Sequence, residues 1–370
     1  MKRFSFIFLG ALVIFMAGCS KFQQPEEDAW VDDLSLRVPI EFGSSLLETK
    51  ASVTDLSQVG QLSVFGLDKT PGSSWVKGQD AAILYNVKAT INSEKEIELS
   101  DGPYFYPLVS TYNYNFYATS PSKSVVNPID VTPSYDMSDG IYVYANLGQD
   151  DILWARSIAE KYGDYDGYNA RYMRYIRTNR LGTGPELKLE HVTTYLEFSA
   201  KANVESTSLN PLDNEDFTHI KITNISVNGM EGSQGVPMRG LLCVANQTDS
   251  QKEGKIFNLH DYRSSYTPAD FIAGKSPTKE GTNLGGVFVY PDYSQGGTYI
   301  IKVRYQDSQR GTTEEKEFTT PILEPGTKYN FSLTFHQNDV IKIKVDLGSW
   351  IDKYYDADMS DDVIILTPNN

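Results

Sequence analysis

Polar and apolar residues alternate along this chain with a period of two. Leu34, Leu36, Val38, Ile40 and Phe42 are separated by Ser35, Arg37, Pro39 and Glu41. Successive side chains of a strand point to opposite faces, so this pattern predicts a strand with one face in a core and the other in water. Pro39 has no backbone N–H to give to a ladder, which points to an edge position. The same alternation carries Ile83, Tyr85, Val87, Ala89 and Ile91, then Tyr112, Tyr114, Phe116 and Ala118, then Val192, Thr194, Leu196, Phe198 and Ala200. It returns in Tyr299, Ile301, Val303 and Tyr305, in Tyr329, Phe331, Leu333 and Phe335, and in Ile341, Ile343, Val345 and Leu347. Clusters such as Asn92-Ser93-Glu94, Ser100-Asp101-Gly102-Pro103 and Glu324-Pro325-Gly326 divide the runs as turns would. Many short strands divided by turns predict an all-β chain of β-sandwich type. The 24 tyrosines and 17 phenylalanines favour strands as well.

A chain of 370 residues is longer than one core usually fills, which predicts two domains. Residues 156–190 are rich in Tyr, Arg and Gly and lack clean alternation. The boundary is placed near Gly182 to Pro185, giving domains 34–184 and 185–370.

The start of the chain reads as an address and an anchor. Lys2 and Arg3 precede an apolar stretch, residues 4–15, of signal-peptide length and too short to span a bilayer comfortably. Met16-Ala17-Gly18 then leads into Cys19 and resembles a bacterial lipobox. Residues 1–18 are therefore expected to be a signal peptide, and Cys19 to carry lipid that holds the precursor to a membrane. Residues 19–33, with Glu26, Glu27, Asp28, Asp32 and Asp33, read as a solvated tether. Acids this soon after the lipidated cysteine resemble surface-export signals of gut Bacteroidetes lipoproteins.

Charge and chemistry exclude several functions. The net charge is −15, and removal of the leader takes away two more positive residues. Such a polyanion repels phosphate backbones, so no nucleic-acid partner is expected. The only cysteines are Cys19 and Cys243, which rules out a disulfide framework. Cys243, within Leu241-Leu242-Cys243-Val244, reads as a buried small hydrophobe. His191, His219, His260 and His336 are scattered, and no HExxH, GxSxG, Walker loop or GxGxxG occurs. Asp164-Tyr165-Asp166-Gly167 lacks the remaining ligands of a calcium loop and reads as a turn. No enzyme activity, cofactor or metal is expected. An alternative reading, a surface glycan-binding lipoprotein, rests on Trp75 in the turn Pro71-Gly72-Ser73-Ser74-Trp75; Trp154 reads as core.

Five stretches resemble the fimbrillin family of Bacteroidetes pilins. They are Tyr106-Pro107-Leu108 with the run from Tyr112 to Ala118, Gly148 to Arg156, Glu190 to Phe198, Pro325 to Leu333, and a strand ending near Trp350. The resemblance implies two tandem transthyretin-like β-sandwich domains with Greek-key topology. It implies a structural or adhesive pilus subunit, exported to the outer membrane as a lipoprotein of the cell-surface fimbrium. It further implies donor-strand exchange after a trypsin-like protease removes an N-terminal strand. Here that strand would be Leu34, Leu36, Val38, Ile40 and Phe42, released by cleavage between Lys50 and Ala51, with Arg37 as second choice because it lies within the strand and should be sheltered. The donor strand would be Val363, Ile364, Ile365 and Leu366, on the leash formed by acidic residues 356–362; residues 341–347 are the other candidate, and either could instead pack within its own subunit. The partners are then other pilus subunits joined by β-strand addition.

Overall fold

The computed structural model describes residues 37–46, 56, 59–69, 82–107, 112–126, 137, 139–159, 166–181, 184–203, 217–229, 235–257, 263–293, 296–336, 341–348 and 364–366. They are mostly β-strand, as the alternation predicts, with one α-helix. Contacts divide the chain into a unit of Met1–Arg37 and a unit of Val38–Asn370. The architecture belongs to the second.

Its first half supplies β1 (Phe42–Leu46), β2 (Leu62–Asp68), β3 (Ala82–Ile91), β4 (Glu96–Leu99), β5 (Tyr114–Ser120), β6 (Gly140–Asn146), β7 (Leu153–Ser157), α1 (Ala170–Thr178) and β8 (Glu186–His191). All these strands except β6 close a seven-stranded barrel in the order β1-β4-β3-β2-β5-β7-β8. Neighbours are antiparallel except β1 and β8, which run parallel where the ring closes. Ile40, Phe42, Leu62, Val64, Phe116 and Leu187 share the core of this barrel. Helix α1 joins that core through Ala170, Met173 and Ile176, spaced by three. Asn169 starts the helix by accepting the Tyr172 N–H at 2.8 Å, the role its short side-chain carbonyl suits.

The remaining strands are β9 (Thr194–Asn203), β10 (Ile220–Asn228), β11 (Val236–Pro237), β12 (Arg239–Asn246), β13 (Ile256–Phe257), β14 (Arg263–Ser264), β15 (Thr282–Val289), β16 (Ile300–Asp307), β17 (Thr312–Thr319), β18 (Lys328–His336), β19 (Ile341–Gly348) and β20 (Ile364–Leu366). A five-stranded sheet, β15-β9-β18-β19-β20, and a three-stranded sheet, β10-β16-β17, contribute to one core. Phe198, Ile222, Val227, Ile301, Val303 and Phe331 meet there. Two sheets that bury their inner faces against each other form a sandwich. A third sheet, β13-β12-β6, covers the outer face of the barrel, packing Leu242 and Val244 against Phe65, Leu67 and Trp154. Three elements that follow residue 185 thus serve the first half. β8 completes the barrel, and β12 pairs with β6 on one side and β13 on the other.

Local chemistry altered two expected runs. In β3 the buried positions are Leu84 and Ala89, while Ile83, Tyr85 and Val87 are half-buried. Asn86 takes φ 53, and the register against β2 shifts at that point, so the alternation slips. Tyr112 precedes β5 and is 44% exposed rather than facing a core.

Candidate functional site: the seam of the barrel

Residues 38–46 are the seam of the barrel. The Ile40 N–H donates to the Tyr104 carbonyl at 2.9 Å, and the Tyr106 N–H donates to the Val38 carbonyl at 3.0 Å. Pro39 stands between these bonds, opposite Phe105. From Phe42 onward the strand has two neighbours. Phe42 and Gly43 register with Ile97 and Glu96 of β4, and Gly43 to Leu46 register with Glu186 to Leu189 of β8. Ser44 donates twice to the Lys95 carbonyl, from its N–H at 2.9 Å and its hydroxyl at 2.6 Å. The Gly43 N–H reaches the Pro185 carbonyl at 3.2 Å, and the Ser45 hydroxyl reaches Glu186 Oε1 at 2.7 Å.

Val38, Ile40 and Phe42 are 4%, 5% and 3% exposed, so three of the five apolar residues predicted for the released strand do face the core. Their burial stabilises the barrel by roughly 4–9 kcal/mol. Removing them would also strip hydrogen-bond partners from β4 and β8, and exposed strand edges pair readily with other strands. Leu34 and Leu36 lie outside the described residues, as do Cys19, Lys50, Ala51, Trp75 and Val363. Arg37 is exposed rather than sheltered.

An open groove of about 1160 Å³ runs beside the seam. Its walls include Ile40, Phe42, Ile97, Leu99 and Tyr104, with Glu41, Glu96, Glu98, Arg177 and Arg180 as the charged members. Arg177 Nη2 pairs with Glu41 Oε2 at 2.7 Å, joining the end of α1 to the seam. Both side chains are solvated enough that the pair contributes about 0–1 kcal/mol. The Tyr106 hydroxyl is buried and has no hydrogen-bond partner among the described residues. Burial raises its pKa well above the ordinary tyrosine value; Tyr168 and Glu41 push the same way, and Arg177 opposes them.

Ile364, Ile365 and Leu366 form β20, antiparallel to β19 of the same chain and at the edge of the five-stranded sheet. The terminal segment is therefore paired at home here, in an edge position.

Cys243, Trp154, His191 and Asp166 are buried or paired within the fold. Cys243 is fully buried, and burial pushes its thiol up to about 12, so it is protonated and shielded. Trp154 is 7% exposed and donates from Nε1 to the Val244 carbonyl at 2.8 Å. His191 Nδ1 lies 2.9 Å from Asp151 Oδ1, with the His side chain fully buried. Asp166 pairs with Lys69 at 2.8 Å. Among the described residues no group of three His, Cys, Asp or Glu is placed to hold a metal.

Three features of the site were not foreseen in the sequence: β4 and β8 as neighbours of the seam, and the Glu41–Arg177 pair. All are long-range contacts. Glu41 and Arg177 are 136 positions apart, a separation that local pattern does not encode.

The profile of a family described as fimbrillin-like matches residues 49–350. No curated protein matches the chain. A crystal structure of a candidate cell adhesion protein from Bacteroides uniformis is 13% identical, covers 86% of this chain and 100% of its own, and superposes with a TM-score of 0.50. A similarly described protein from Bacteroides ovatus is 13% identical, with 86% and 99% covered and a TM-score of 0.48.

Proposed function

This chain belongs to the fimbrillin-like family, and on that premise we propose that it is a structural or adhesive subunit of a bacterial surface pilus, with no enzymatic role. In this reading the precursor is exported as a lipoprotein acylated on Cys19, with residues 1–18 as its signal peptide, and reaches the outer membrane and cell surface. A trypsin-like protease cuts between Lys50 and Ala51, and the seam strand departs with the anchor. A strand from another subunit then fills the opened barrel. In this reading the two transthyretin-like modules that the family resemblance implies would be built on the barrel and on the two sheets that share the second core.

The observation that carries the reading is the position of residues 38–46. They close the ring with hydrogen bonds on two sides and bury Val38, Ile40 and Phe42. All of them precede Lys50 in the chain, so one cut frees the whole segment. The family match begins at residue 49 and ends at residue 350, which leaves both the seam and the terminal strand outside it. The terminal strand Ile364–Leu366 is the proposed donor. It is only three residues long and held by β19 alone among the described residues, so detaching it is cheap compared with what a filled barrel regains.

The test is limited trypsin digestion of the chain lacking residues 1–18, followed by N-terminal sequencing and size-exclusion chromatography. The reading predicts a new N-terminus at Ala51 and growth into oligomers. A chain cut there that stays monomeric at every concentration would refute strand exchange.

A further inference from the structure

We propose that Arg177 and Arg180, at the end of α1, form a clamp for an acidic peptide, and that the occupant is the aspartate-rich stretch 356–362 of a second copy of this chain. The inference rests on the strand-exchange reading above and names the charged contact that steers and orients the incoming strand.

The chain carries a net charge of −15, yet residues 171–180 hold Arg171, Arg174, Arg177 and Arg180. No Asp or Glu occurs between Asp166 and Glu186. Arg177 and Arg180 line the groove beside the seam, and Arg180 is exposed. A basic residue in the last turn of a helix suits the helix dipole. Arg180, however, lies beyond the helix end at φ 56. In the closed barrel the carboxylate facing Arg177 is Glu41, at 2.7 Å, and Glu41 belongs to the seam itself. Once the seam leaves, that carboxylate leaves with it.

The remaining charges at the groove are Arg177 and Arg180 on the α1 side and Glu96 and Glu98 on β4. The amide of Asn92 approaches both glutamates, at 3.4 and 3.0 Å. A replacement strand should therefore be apolar along β4 and β8 and should present carboxylates towards α1. The chain's own end has that order. Asp356, Asp358, Asp361 and Asp362 run directly into Val363, Ile364, Ile365 and Leu366, with no Lys or Arg after Lys353. Guanidinium groups bind carboxylates through paired N–H donors, which fixes orientation as well as position. Two polyanionic copies repel at a distance, so a local match of opposite charge also selects which surfaces meet.

The experiment measures binding of a fluorescent peptide of residues 356–366 to the trypsin-processed chain at low salt. A second peptide has all four aspartates replaced by asparagine. The clamp predicts binding about five- to ten-fold weaker for the asparagine peptide. That difference should vanish in the Arg177→Gln/Arg180→Gln variant and in high salt. Equal binding of the two peptides would overturn the clamp while leaving strand exchange standing. No binding of either peptide would overturn the clamp and the strand-exchange reading together. A peptide of residues 26–33, the acidic tether, that competes as well as the terminal peptide would overturn the assigned occupant. The asparagine peptide leaves the protein untouched, so its result does not depend on how the arginine variant folds.

Discussion

Phe42→Ala distinguishes the closed barrel from the exchanged one. In the uncut chain the Phe42 ring is 3% exposed and meets the fully buried Phe116 edge-on, with centroids 4.9 Å apart and planes at 82°. Truncation removes a buried ring and leaves a cavity against Phe116, a change that costs about 3–5 kcal/mol. The aromatic pair accounts for roughly 0.5–1.5 kcal/mol of that. With a urea dependence of about 3 kcal/mol per molar, the unfolding midpoint falls by about 1–1.7 M. In the cut and assembled chain the same substitution is silent, within about 0.5 kcal/mol, because residue 42 has gone with its strand. Phe331→Ala is the control. Phe331 is fully buried in the sandwich core, stacked on Phe198 at 5.4 Å, so its loss destabilises cut and uncut chains alike. Urea titrations followed by tryptophan fluorescence and circular dichroism read both variants. An equal cost for Phe42→Ala before and after assembly would mean that the strand never left. A cost below about 1 kcal/mol in the uncut chain would refute the packing account of the seam.

Two further predictions concern packing away from the seam. Gly148 takes φ +93, and a Cβ there would sit 1.9 Å from the Tyr266 ring, so Gly148→Ala lowers stability by about 2–4 kcal/mol in thermal or urea unfolding; an unchanged midpoint would contradict the packing. Glu253 is buried and accepts from the Tyr117 hydroxyl at 3.2 Å, the Asn246 N–H at 3.1 Å and Arg156 at 3.1 Å. Burial raises its pKa above the ordinary carboxylate value. Its favourable contribution is therefore complete below the unfolded carboxylate pKa and is lost as pH rises through the raised folded value. Glu253→Gln cannot ionise, so its midpoint relative to the parent rises with pH across that window; parallel pH curves for the two proteins would refute the assignment.

Much of the fold was legible where a strand has one dry face. The runs at Tyr299 to Tyr305 and Tyr329 to Phe335 alternate in sequence, and their apolar members face the sandwich core. β2 was not legible because it is buried at every position. Leu62 and Val64 face the barrel interior while Phe65 and Leu67 face the covering sheet, so no polar face remains to give a period of two. Helix α1 was hidden for another reason. Only Ala170, Met173 and Ile176 are buried, and the arginines and tyrosines between them obscure a period near three. At the site, Val38, Ile40 and Phe42 declared themselves by alternation. Their neighbours did not: β4 spans only Glu96–Leu99, and β8 is met through a parallel contact more than 140 positions along the chain. The arginines of α1 stood out by composition, but their bearing on the seam needed the fold.

The central claim is that the seam must leave before subunits can join, and a disulfide across the seam tests it most directly. Ser45 and Lys188 are register partners on the parallel strands β1 and β8. Adjacent strands lie about 4.8 Å apart, within the Cα separation that a disulfide spans. In a chain beginning at Ser20, Ser45→Cys with Lys188→Cys holds the seam in place even after trypsin has cut at Lys50. The account predicts that the oxidised, cut protein stays monomeric by size-exclusion chromatography and grows into oligomers once the disulfide is reduced. Oligomers that form equally well with the disulfide intact would contradict it.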